Sequence, residues 1–465
     1  PAAVGEHLRE NCPNLREVDL SHCPLVDDTT VASLLGLRSL RRLNVGYCDK
    51  VSRLCVPLLA AAQQLREVDL SGEYWVTLEQ AEQLLAGGKR VTCFKPLDGA
   101  FNRSFAALQA KYAAALDEPR FEQVRSQQEL DALPADVTHV ELRGLGDRAA
   151  ASLGRLGKLV GLRCRGDDVE PFTDAALASL ARLSKLEQLE LSSLPHVTGE
   201  GLAQLAACRA LRVLEWRTLP ADDRALAILP RLPALTELAL SWSTSFGDDG
   251  ARSIAACKGL VRLELSSTSL SSPAIAGLGA LTGLETLGLA ELPGLDDAAL
   301  LGLRPLTNLR RLNLRKGAFT AAGMRALAGM RQLRSLNLGE NPRLTAPSLL
   351  AIPPGVCELQ LFGCAGMDAT AGPLLRDRFP SLAVLDVAFD DWVDDAALTA
   401  ILQAPVLERL NVSFCERATP AVFAALLGAR ALRRLHATNC PCLTDELARE
   451  LAQQRPQLQV DRRSW

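Results

Sequence analysis

Aromatic residues are scarce in this 465-residue chain, and long hydrophobic runs are missing. Phe, Trp and Tyr together make up 4% of the residues, although hydrophobic residues of all kinds make up 48%. The core must therefore be built mainly from aliphatic side chains. No apolar run reaches the roughly 18 residues that a membrane-spanning helix needs. The sequence predicts a globular chain without a membrane span, and its first residues are not a signal peptide.

A strong excess of charge is also absent. The formal net charge is −3 and the isoelectric point is about 6.1. Proteins that bind nucleic acid usually carry a basic patch or a basic overall balance. We therefore do not expect a nucleic-acid partner for the chain as a whole.

Residues that could carry chemistry are few and scattered. The five histidines share no common spacing. His436, Cys440 and Cys442 resemble three zinc ligands, but Cys440 occupies a position that recurs along the chain, which favours packing over metal binding. The glycines and lysine at 87–89 lack the spacing and the Ser or Thr of a phosphate-binding loop. We predict no catalytic residues, no metal and no cofactor, and a small-molecule ligand is not expected.

The dominant feature is a repeated LxxLxL pattern. The segment LRRLNL at 309–314 returns as LRSLNL at 333–338, and from residue 137 onward the intervals run from 22 to 27 residues. A repeat of this length is the mark of a solenoid, because one unit cannot bury its leucines alone. The pattern starts at Leu15, Leu40, Leu65, Val137, Leu159, Leu186, Leu211, Leu235, Leu260, Leu284, Leu309, Leu333, Val356, Leu382, Leu407, Leu432 and Leu458.

Each repeat has two halves. The LxxLxL half alternates apolar and polar residues, which predicts a short strand. The second half places Thr, Asp or Gly before an apolar run at helical spacing, as in TDAALASLARL at 173–183, and these residues are suited to cap a helix start. Strands lie about 4.8 Å apart and helices 8–10 Å apart. Stacked units should therefore curve, with a parallel sheet on the concave face and helices on the convex face.

The predicted organisation is one continuous solenoid of about 17–19 repeats. Residues 1–90 form the first repeats, residues 91–136 form degenerate repeats, and residues 137–465 form regular repeats. In the middle stretch we favour two degenerate units, with strands near 91–93 and 121–124 and a longer helix at 100–116. An inserted loop is the alternative.

Cysteines recur at fixed repeat positions. They stand eight residues after the repeat start at Cys23, Cys48, Cys364, Cys415 and Cys440, and three residues before it at Cys12, Cys208 and Cys257. A position shared by successive units is a packing position, so we read the thirteen cysteines as reduced thiols in a reducing intracellular compartment.

The pattern CPNLREVDLSHCPLVDD at 12–28 resembles the cysteine-containing leucine-rich repeat family, and LRRLHATNCPCLTD at 432–445 resembles it as well. The resemblance implies a ribonuclease-inhibitor-like solenoid and a non-catalytic, protein-binding role. Members of that family include F-box substrate receptors of ubiquitin ligases, subunits of ciliary regulatory complexes and bacterial effectors. No F-box motif is found within this chain.

Two columns of polar side chains should line the concave face. Residues at the second, fourth and sixth positions after each start point away from the core because strand side chains alternate. The fourth and sixth columns give a mixed acid–Arg surface, which forms either a ladder of mutually paired charges or a partner groove. Its candidate residues are Glu141, Arg143, Arg163, Arg165, Glu190, Glu215, Arg217, Glu264 and Arg315.

Aromatic residues cluster directly after the strands. Trp216 falls on an inward position and is predicted to be core. The aromatic binding candidates are Tyr47, Trp75, Trp242, Phe246, Phe362, Phe389, Trp392 and Phe414. Trp and Tyr dominate interface energetics where they are exposed, and inward packing is the alternative for each Phe.

These observations predict a protein-binding scaffold or adaptor of a larger assembly. Two alternatives remain: a ubiquitin-ligase substrate receptor whose F-box lies outside this chain, and an activator of GTPases built on leucine-rich repeats. The resemblance also makes a cytoplasmic location, with a cytoskeletal or ciliary one as the narrower option, an expectation.

Overall fold

The structure is a computed structural model, and it describes residues 12, 15, 17–21, 23, 26–46, 48, 50–71, 76–86, 89–92, 121–166, 170–219 and 221–461. The chain divides into two compact units, Pro1–Arg120 and Phe121–Trp465. The helix predicted at 100–116 lies outside the described residues. The boundaries at residues 90 and 136, and the continuity of one solenoid, stay predictions.

The described part of the first unit contains four parallel strands that pair in chain order. Val18, Leu43 and Val68 stand at the same repeat position and face one another in the register. The strands are β1 (Glu17–Asp19), β2 (Arg42–Asn44), β3 (Glu67–Asp69) and β4 (Arg90–Thr92), and the helices are α1 (Asp28–Leu34), α2 (Val56–Ala61) and α3 (Leu78–Ala86).

The second unit contains fifteen parallel strands, again paired strictly in chain order. Leu238, Leu263 and Leu287 show the register, because each pairs with the equivalent leucine of the next layer. The strands are β5 (Glu122–Val124), β6 (His139–Arg143), β7 (Gly161–Arg165), β8 (Gln188–Ser192), β9 (Val213–Arg217), β10 (Glu237–Ala239), β11 (Arg262–Glu264), β12 (Thr286–Gly288), β13 (Arg311–Asn313), β14 (Ser335–Asn337), β15 (Glu358–Gln360), β16 (Val384–Asp386), β17 (Arg409–Asn411), β18 (Arg434–His436) and β19 (Gln459–Asp461).

Short helices alternate with these strands. In one layer the helix is replaced by a 3₁₀ helix over Ala346–Ala351. The α-helices are α4 (Gln127–Ala132), α5 (Asp147–Ser152), α6 (Asp174–Leu180), α7 (Gly199–Ala203), α8 (Asp223–Leu226), α9 (Asp248–Ala255), α10 (Ser272–Gly277), α11 (Asp297–Gly302), α12 (Ala321–Met324), α13 (Ala371–Arg378), α14 (Asp395–Leu402), α15 (Phe423–Gly428) and α16 (Asp445–Gln454).

The strand predictions for the irregular stretch are confirmed. β4 ends at Thr92 and β5 begins at Glu122, close to the two predicted positions. β4 pairs with β3, and β5 pairs with β6. Each therefore belongs to a layer of its own unit.

Each unit has a single aliphatic core between its sheet and its helices. Leu189 and Leu191 of β8 and Leu202 of α7 show the arrangement, because all three are almost fully buried in one cluster. The first unit has a separate cluster that includes Leu43, Val68 and Leu84. Leucines at the third and fifth positions after the repeat start thus face the core, as the period predicts.

Hydrogen bonds link the start of one helix to the start of the next, from an Asp in the first turn to the cap Thr or Ser of the following layer. We call this series of bonds the Asp rail. The repeat pattern did not predict it. Thr419 caps the 3₁₀ turn before α15, and its amide N and its Oγ1 both donate to Asp395 of the preceding layer, each at 2.6 Å. Asp297 accepts the same pair of bonds from Thr320 at 2.6 and 2.8 Å. Each Asp therefore accepts hydrogen bonds from donors in the next layer. Its negative charge also stabilises the N-terminus of its own helix.

Candidate functional site

The acid–Arg surface of β6–β9 is internally paired. Glu141 Oε1 lies 2.8 Å from Arg143 Nε and 3.4 Å from Arg165 Nε, and the Glu141 side chain is only 5% exposed. Arg163 Nε lies 2.7 Å from Glu190 Oε2. The structure thus brings the predicted residues together as a ladder of ion pairs, which was the first of the two interpretations left open.

The same ladder leaves some guanidinium surface accessible. The Arg217 side chain, which pairs with Glu215 at 2.8 Å, is 58% exposed. Arg165 is similarly exposed at 56%. Exposed ion pairs stabilise a fold by only about 0–1 kcal/mol. This estimate applies to the Arg217–Glu215 pair, whereas Arg165 pairs with the nearly buried Glu141.

One end of this face carries a ring cluster. The guanidinium carbon of Arg163 lies 3.8 Å from the centre of the Phe121 ring. Phe121 also meets His139 edge to face, with ring centres 5.1 Å apart. Burial lowers the pKa of His139, and the Arg163 charge lowers it further. The Glu187 charge opposes this shift, and the net effect favours the neutral imidazole, which packs against Phe121.

Fourth-position side chains close turns instead of pointing freely outward. Asn337 Oδ1 accepts from the Gly339 amide at 2.9 Å, and Asn411 Oδ1 accepts from the Ser413 amide at 3.0 Å. Glu264 Oε1 accepts from the Ser266 amide at 2.9 Å and lies against Gly288, where a β-carbon would meet its carboxylate at 1.9 Å. Glu264 therefore has a structural role at the end of β11.

A second charge cluster lies further along the sheet. Arg315 Nη1 lies 2.7 Å from Glu291 Oε1, and its Nε donates to Glu340 Oε1 at 2.7 Å. Its guanidinium carbon also sits 5.8 Å from the centre of the Phe362 ring. Sequence reasoning placed Arg315 and Phe362 on this surface but missed the two glutamates, which stand at the seventh repeat position.

The seventh position has a backbone conformation that the repeat pattern did not reveal. Its φ angles lie between 49° and 67° in twelve layers of the second unit. In this left-handed region a bulky side chain is disfavoured. The residues are Gly144, Ser193, Thr218, Trp242, Ser267, Glu291, Lys316, Glu340, Gly363, Phe389, Phe414 and Asn439.

Left-handed residues at this position extend the sheet's hydrogen bonding beyond the strands. The Phe389 amide donates to the Ser413 carbonyl at 2.9 Å, and the Phe414 amide donates to the Thr438 carbonyl at 2.8 Å. The Trp242 amide donates to Ser266 in the same way at 3.2 Å. The strain of each residue is thus offset by an inter-layer backbone bond. We call this row of seventh-position side chains the rim.

Three large aromatic side chains belong to the rim. Trp242 is 63% exposed and Phe389 is 62% exposed. Phe389 and Phe414 stack face to face, with ring centres 4.5 Å apart and an interplanar angle of 8°. Phe362 is half-buried at the neighbouring sixth position. The structure thus exposes part of the predicted aromatic set along one edge of the sheet.

Two aromatic candidates are corrected by the structure. Phe246 and Trp392 are only 2% and 4% exposed, and both pack in the core cluster. Each lies in the loop that follows a left-handed residue, Trp242 or Phe389, and its ring joins the leucine core. Trp216 is fully buried, as predicted. Tyr47 and Trp75 lie outside the described residues.

The eighth position forms a buried spine. Cys48, Cys364 and Cys415 are fully buried, and their thiols donate to a carbonyl of the preceding layer at 3.0–3.2 Å. Asn341 Nδ2 makes the equivalent bond to the Leu314 carbonyl at 3.0 Å. The predicted packing role of this column is confirmed. Cys12, by contrast, is exposed.

Asp390 occupies the same spine and was not recognised in the sequence. It is fully buried, and neither carboxylate oxygen has hydrogen-bond geometry with a described residue. Burial raises its pKa to about 8, against smaller lowering effects from the Cys364 backbone and the Trp392 indole. The aligned eighth column also contains Glu73 and Asp167, so the sequence alone does not single out Asp390.

Neither a metal centre nor a membrane span is found in the described ranges. No group of three or more His, Cys, Asp or Glu side chains there could hold a metal ion. No helix in that part of the chain is long and apolar enough to cross a bilayer. His436 faces Asp461 with its Nδ1 3.8 Å from the carboxylate, and burial lowers its pKa.

The repeat matches a known protein family. The family described as a leucine-rich repeat matches residues 11–34, 232–255 and 306–328. Each matched segment covers one strand and the helix that follows it, namely β1 with α1, β10 with α9, and β13 with α12. No curated protein matches the chain.

Solved structures of similar architecture come from bacteria and yeast. An internalin (InlF) of Listeria monocytogenes is 18% identical with a TM-score of 0.49, over 73% of this chain and 89% of that one. A leucine-rich repeat protein of Leptospira interrogans is 15% identical with a TM-score of 0.44, over 98% of both chains. The Rad7–Elc1 complex of yeast gives 16% identity and a TM-score of 0.39, over 99% of this chain and 92% of that one. Scores below 0.5 assign no role.

The architecture defines the class as a strand–helix solenoid: parallel strands in chain order, one helix per layer and a continuous aliphatic core within each unit. The fold is therefore a leucine-rich repeat solenoid, and the leucine-rich repeat family model matches three of its repeats. Its cysteine columns are consistent with the cysteine-containing type of that repeat.

Proposed function

We propose that this chain is a non-catalytic scaffold that binds another protein through its sheet face and its rim. The exposed aromatic side chains of the rim carry this proposal. Trp242 and Phe389, which are exposed, and Phe414, which is half-buried and stacks on Phe389, stand where the backbone favours Gly or Asn. Large rings exposed to solvent despite that penalty are better explained by a contact outside the chain than by the stability of the fold.

The sheet face supplies the second part of the surface. Arg165 and Arg217 keep more than half of their side chains exposed while paired with acidic residues. Arginine and aromatic side chains are the residue types most enriched in the energetic centres of protein interfaces. The rim would thus give affinity, and the paired charges would orient a partner.

Site-specific photo-crosslinking tests this surface. Benzoylphenylalanine is placed at Trp242 or Phe389 in the native source, and cross-linked peptides are identified by mass spectrometry. Leu350 is the matched control, because it is an exposed apolar residue (54%) in the 3₁₀ helix on the helical side. We expect both rim positions to link to the same foreign chain. Links from the Leu350 position alone would contradict the choice of face.

The kind of assembly that the chain serves and its location in the cell are also part of the proposal. A scaffold inside a larger assembly is favoured over a ubiquitin-ligase receptor and over a GTPase activator. Reciprocal purification separates the first two, since a ligase receptor would bring a ligase adaptor with it. A turnover assay with a panel of GTPases tests the third. A reducing, cytoplasmic or ciliary location fits the buried cysteine columns, and fractionation of the native source tests it.

A further inference from the structure

Two cysteines meet in the turn that joins β18 to α16. Cys440 and Cys442 are separated by Pro441, and their sulfur atoms lie 3.0 Å apart. Formation of a disulfide requires the sulfurs to approach by about 1 Å more, to the usual bond length near 2.05 Å. Both residues belong to the buried core, so the pair is held close by the packing of its layer.

The Cys440 thiol is turned away from the spine that other eighth-position thiols form. Cys364 and Cys415 donate to the fifth-position carbonyls of Leu338 and Val387, at 3.2 and 3.1 Å. Cys440 instead makes a longer contact, 3.4 Å, with the carbonyl of Cys415, and its closest sulfur partner is Cys442. Loss of the Cys440 thiol hydrogen therefore removes no bond of the regular spine.

The chemical surroundings of Cys440 also differ from those of the other column thiols. Burial raises the pKa of Cys364 and of Cys415 to about 12 each. The hydrogen bond of the Cys442 thiol lowers the pKa of Cys440, whereas the pKa of Cys442 is raised. Cys440 is also 5% exposed, while Cys364 and Cys415 are fully buried. A more acidic and more accessible thiol is the more reactive one.

We propose that Cys440 and Cys442 form a reversible redox pair that closes to an intrachain disulfide when a peroxide reaches the turn. The Cys440 thiolate attacks one peroxide oxygen, becomes a sulfenic acid and releases the first water after proton uptake. The Cys442 thiol then attacks the Cys440 sulfur and displaces the second water. The two thiols together lose two hydrogens and two electrons, and one peroxide is reduced to two waters.

The expected consequence is a cross-link at the entrance of α16. The disulfide closes a small covalent ring through Cys440, Pro441 and Cys442, within the turn between the strand Arg434–His436 and the cap residue Thr444. A disulfide between close residues restricts the unfolded chain only modestly. The chemical state of the turn, rather than the global stability, is therefore the property to measure.

Thiol trapping on the folded full-length protein tests the proposal. The protein is treated with hydrogen peroxide, quenched with N-ethylmaleimide under denaturing conditions and digested with trypsin. The peptide spanning 435–449 contains Cys440 and Cys442 and no other cysteine. We expect it to lose both alkylation sites and two hydrogens, about tenfold faster than Cys364 or Cys415 lose theirs, and to recover with dithiothreitol.

Two variants serve as controls. Cys442→Ser should leave Cys440 as a sulfenic or further oxidised thiol that cannot close the ring, and Cys364→Ser should leave the reaction unchanged. Because the decisive peptide comes from the unaltered protein, a folding defect in a variant does not affect the result. Full alkylation of both cysteines after peroxide, or oxidation at the same rate as Cys364 and Cys415, would overturn the proposal.

Discussion

At the scale of single residues, the most unusual group is the buried carboxyl of Asp390. The spine position that it occupies is a donor position in other layers, as Cys364, Cys415 and Asn341 show. An ionised carboxylate can only accept hydrogen bonds. The raised pKa of Asp390, about 8, is consistent with a protonated side chain that fits a donor site.

Asp390 should make stability depend on pH. Its pKa is about 8 in the folded chain, against 3.8 for an aspartate side chain in water, so the folded state binds more protons between these values. The free energy of unfolding therefore falls as pH rises through this window, by about 1.4 kcal/mol per unit, and levels off above pH 8. Urea unfolding between pH 5 and 9 measures this.

Asp390→Asn is the matched variant, because an amide can donate as Asn341 does. The difference in unfolding free energy between the variant and the parent should widen from pH 5 to 8. Comparing the two chains cancels the contributions of neighbouring groups to the pH dependence. These groups are Asp386 and Asp391, whose charges raise the pKa of Asp390, and the Cys364 and Cys415 thiols on either side. A difference that stays constant across this range would contradict a protonated Asp390.

The rim aromatics should contribute little to stability. Trp242 is exposed and left-handed, so Trp242→Asn should leave the free energy of unfolding unchanged or raise it by up to about 1 kcal/mol. Trp216→Ala is the contrast, because Trp216 is fully buried and its loss should cost about 3–5 kcal/mol. Guanidinium unfolding measures both. A large loss in the Trp242 variant would show that its ring packs on its own chain.

At the scale of elements, the Asp rail joins one helix start to the next. Asp395 of α14 accepts both the amide and the hydroxyl of Thr419, and Asp147 does the same for Thr173 at 2.7 Å each. In the sequence the two partners stand 23 to 26 residues apart, so capping propensity within one helix does not reveal the bond. The rail adds a bond between layers that stabilises stacking.

Removal of one rail carboxylate should therefore destabilise more than removal of an ordinary first-turn acid. Asp395→Ala leaves the Thr419 donors unpaired and should cost about 1–3 kcal/mol. Glu446→Ala, an acid in the first turn of α16, should change stability by less than about 1 kcal/mol. Urea unfolding of the two variants makes the comparison, and equal effects would argue against the rail.

Periodicity predicted the elements well because strands and helices have fixed repeats. Leu189 and Leu191 face the core since side chains alternate along a strand. The left-handed residues could not be predicted, because Trp242, Phe389 and Glu340 are not residue types that favour positive φ. The inward turn of Phe246 and Trp392 depends on that backbone conformation, so the sequence placed both on the wrong side.

At the scale of the whole molecule, the described cores form two separate clusters. One ends at Val91 and the other begins at Val124. Stability in a solenoid comes from each layer and its nearest neighbours. Each of the fifteen described strands of the second unit pairs with a neighbour within that unit.

Residues 121–465 should accordingly fold without the first unit. We expect this shorter chain to keep its helical circular dichroism per layer and to unfold cooperatively in urea. Residues 137–465, which lack β5 and α4, provide the comparison for the cost of removing one further layer. Failure of 121–465 to fold would favour the continuous solenoid predicted from the repeat, with a core that runs through residues 91–136.

The rim has a consequence for the rate and cost of association. Its backbone amides are already bonded to the next layer, as those of Trp242, Phe389 and Phe414 show. A partner protein would therefore contact side chains on a preorganised backbone, and the rim would lose little conformational freedom on binding. Such an edge favours rapid, rigid docking over slow mutual adjustment.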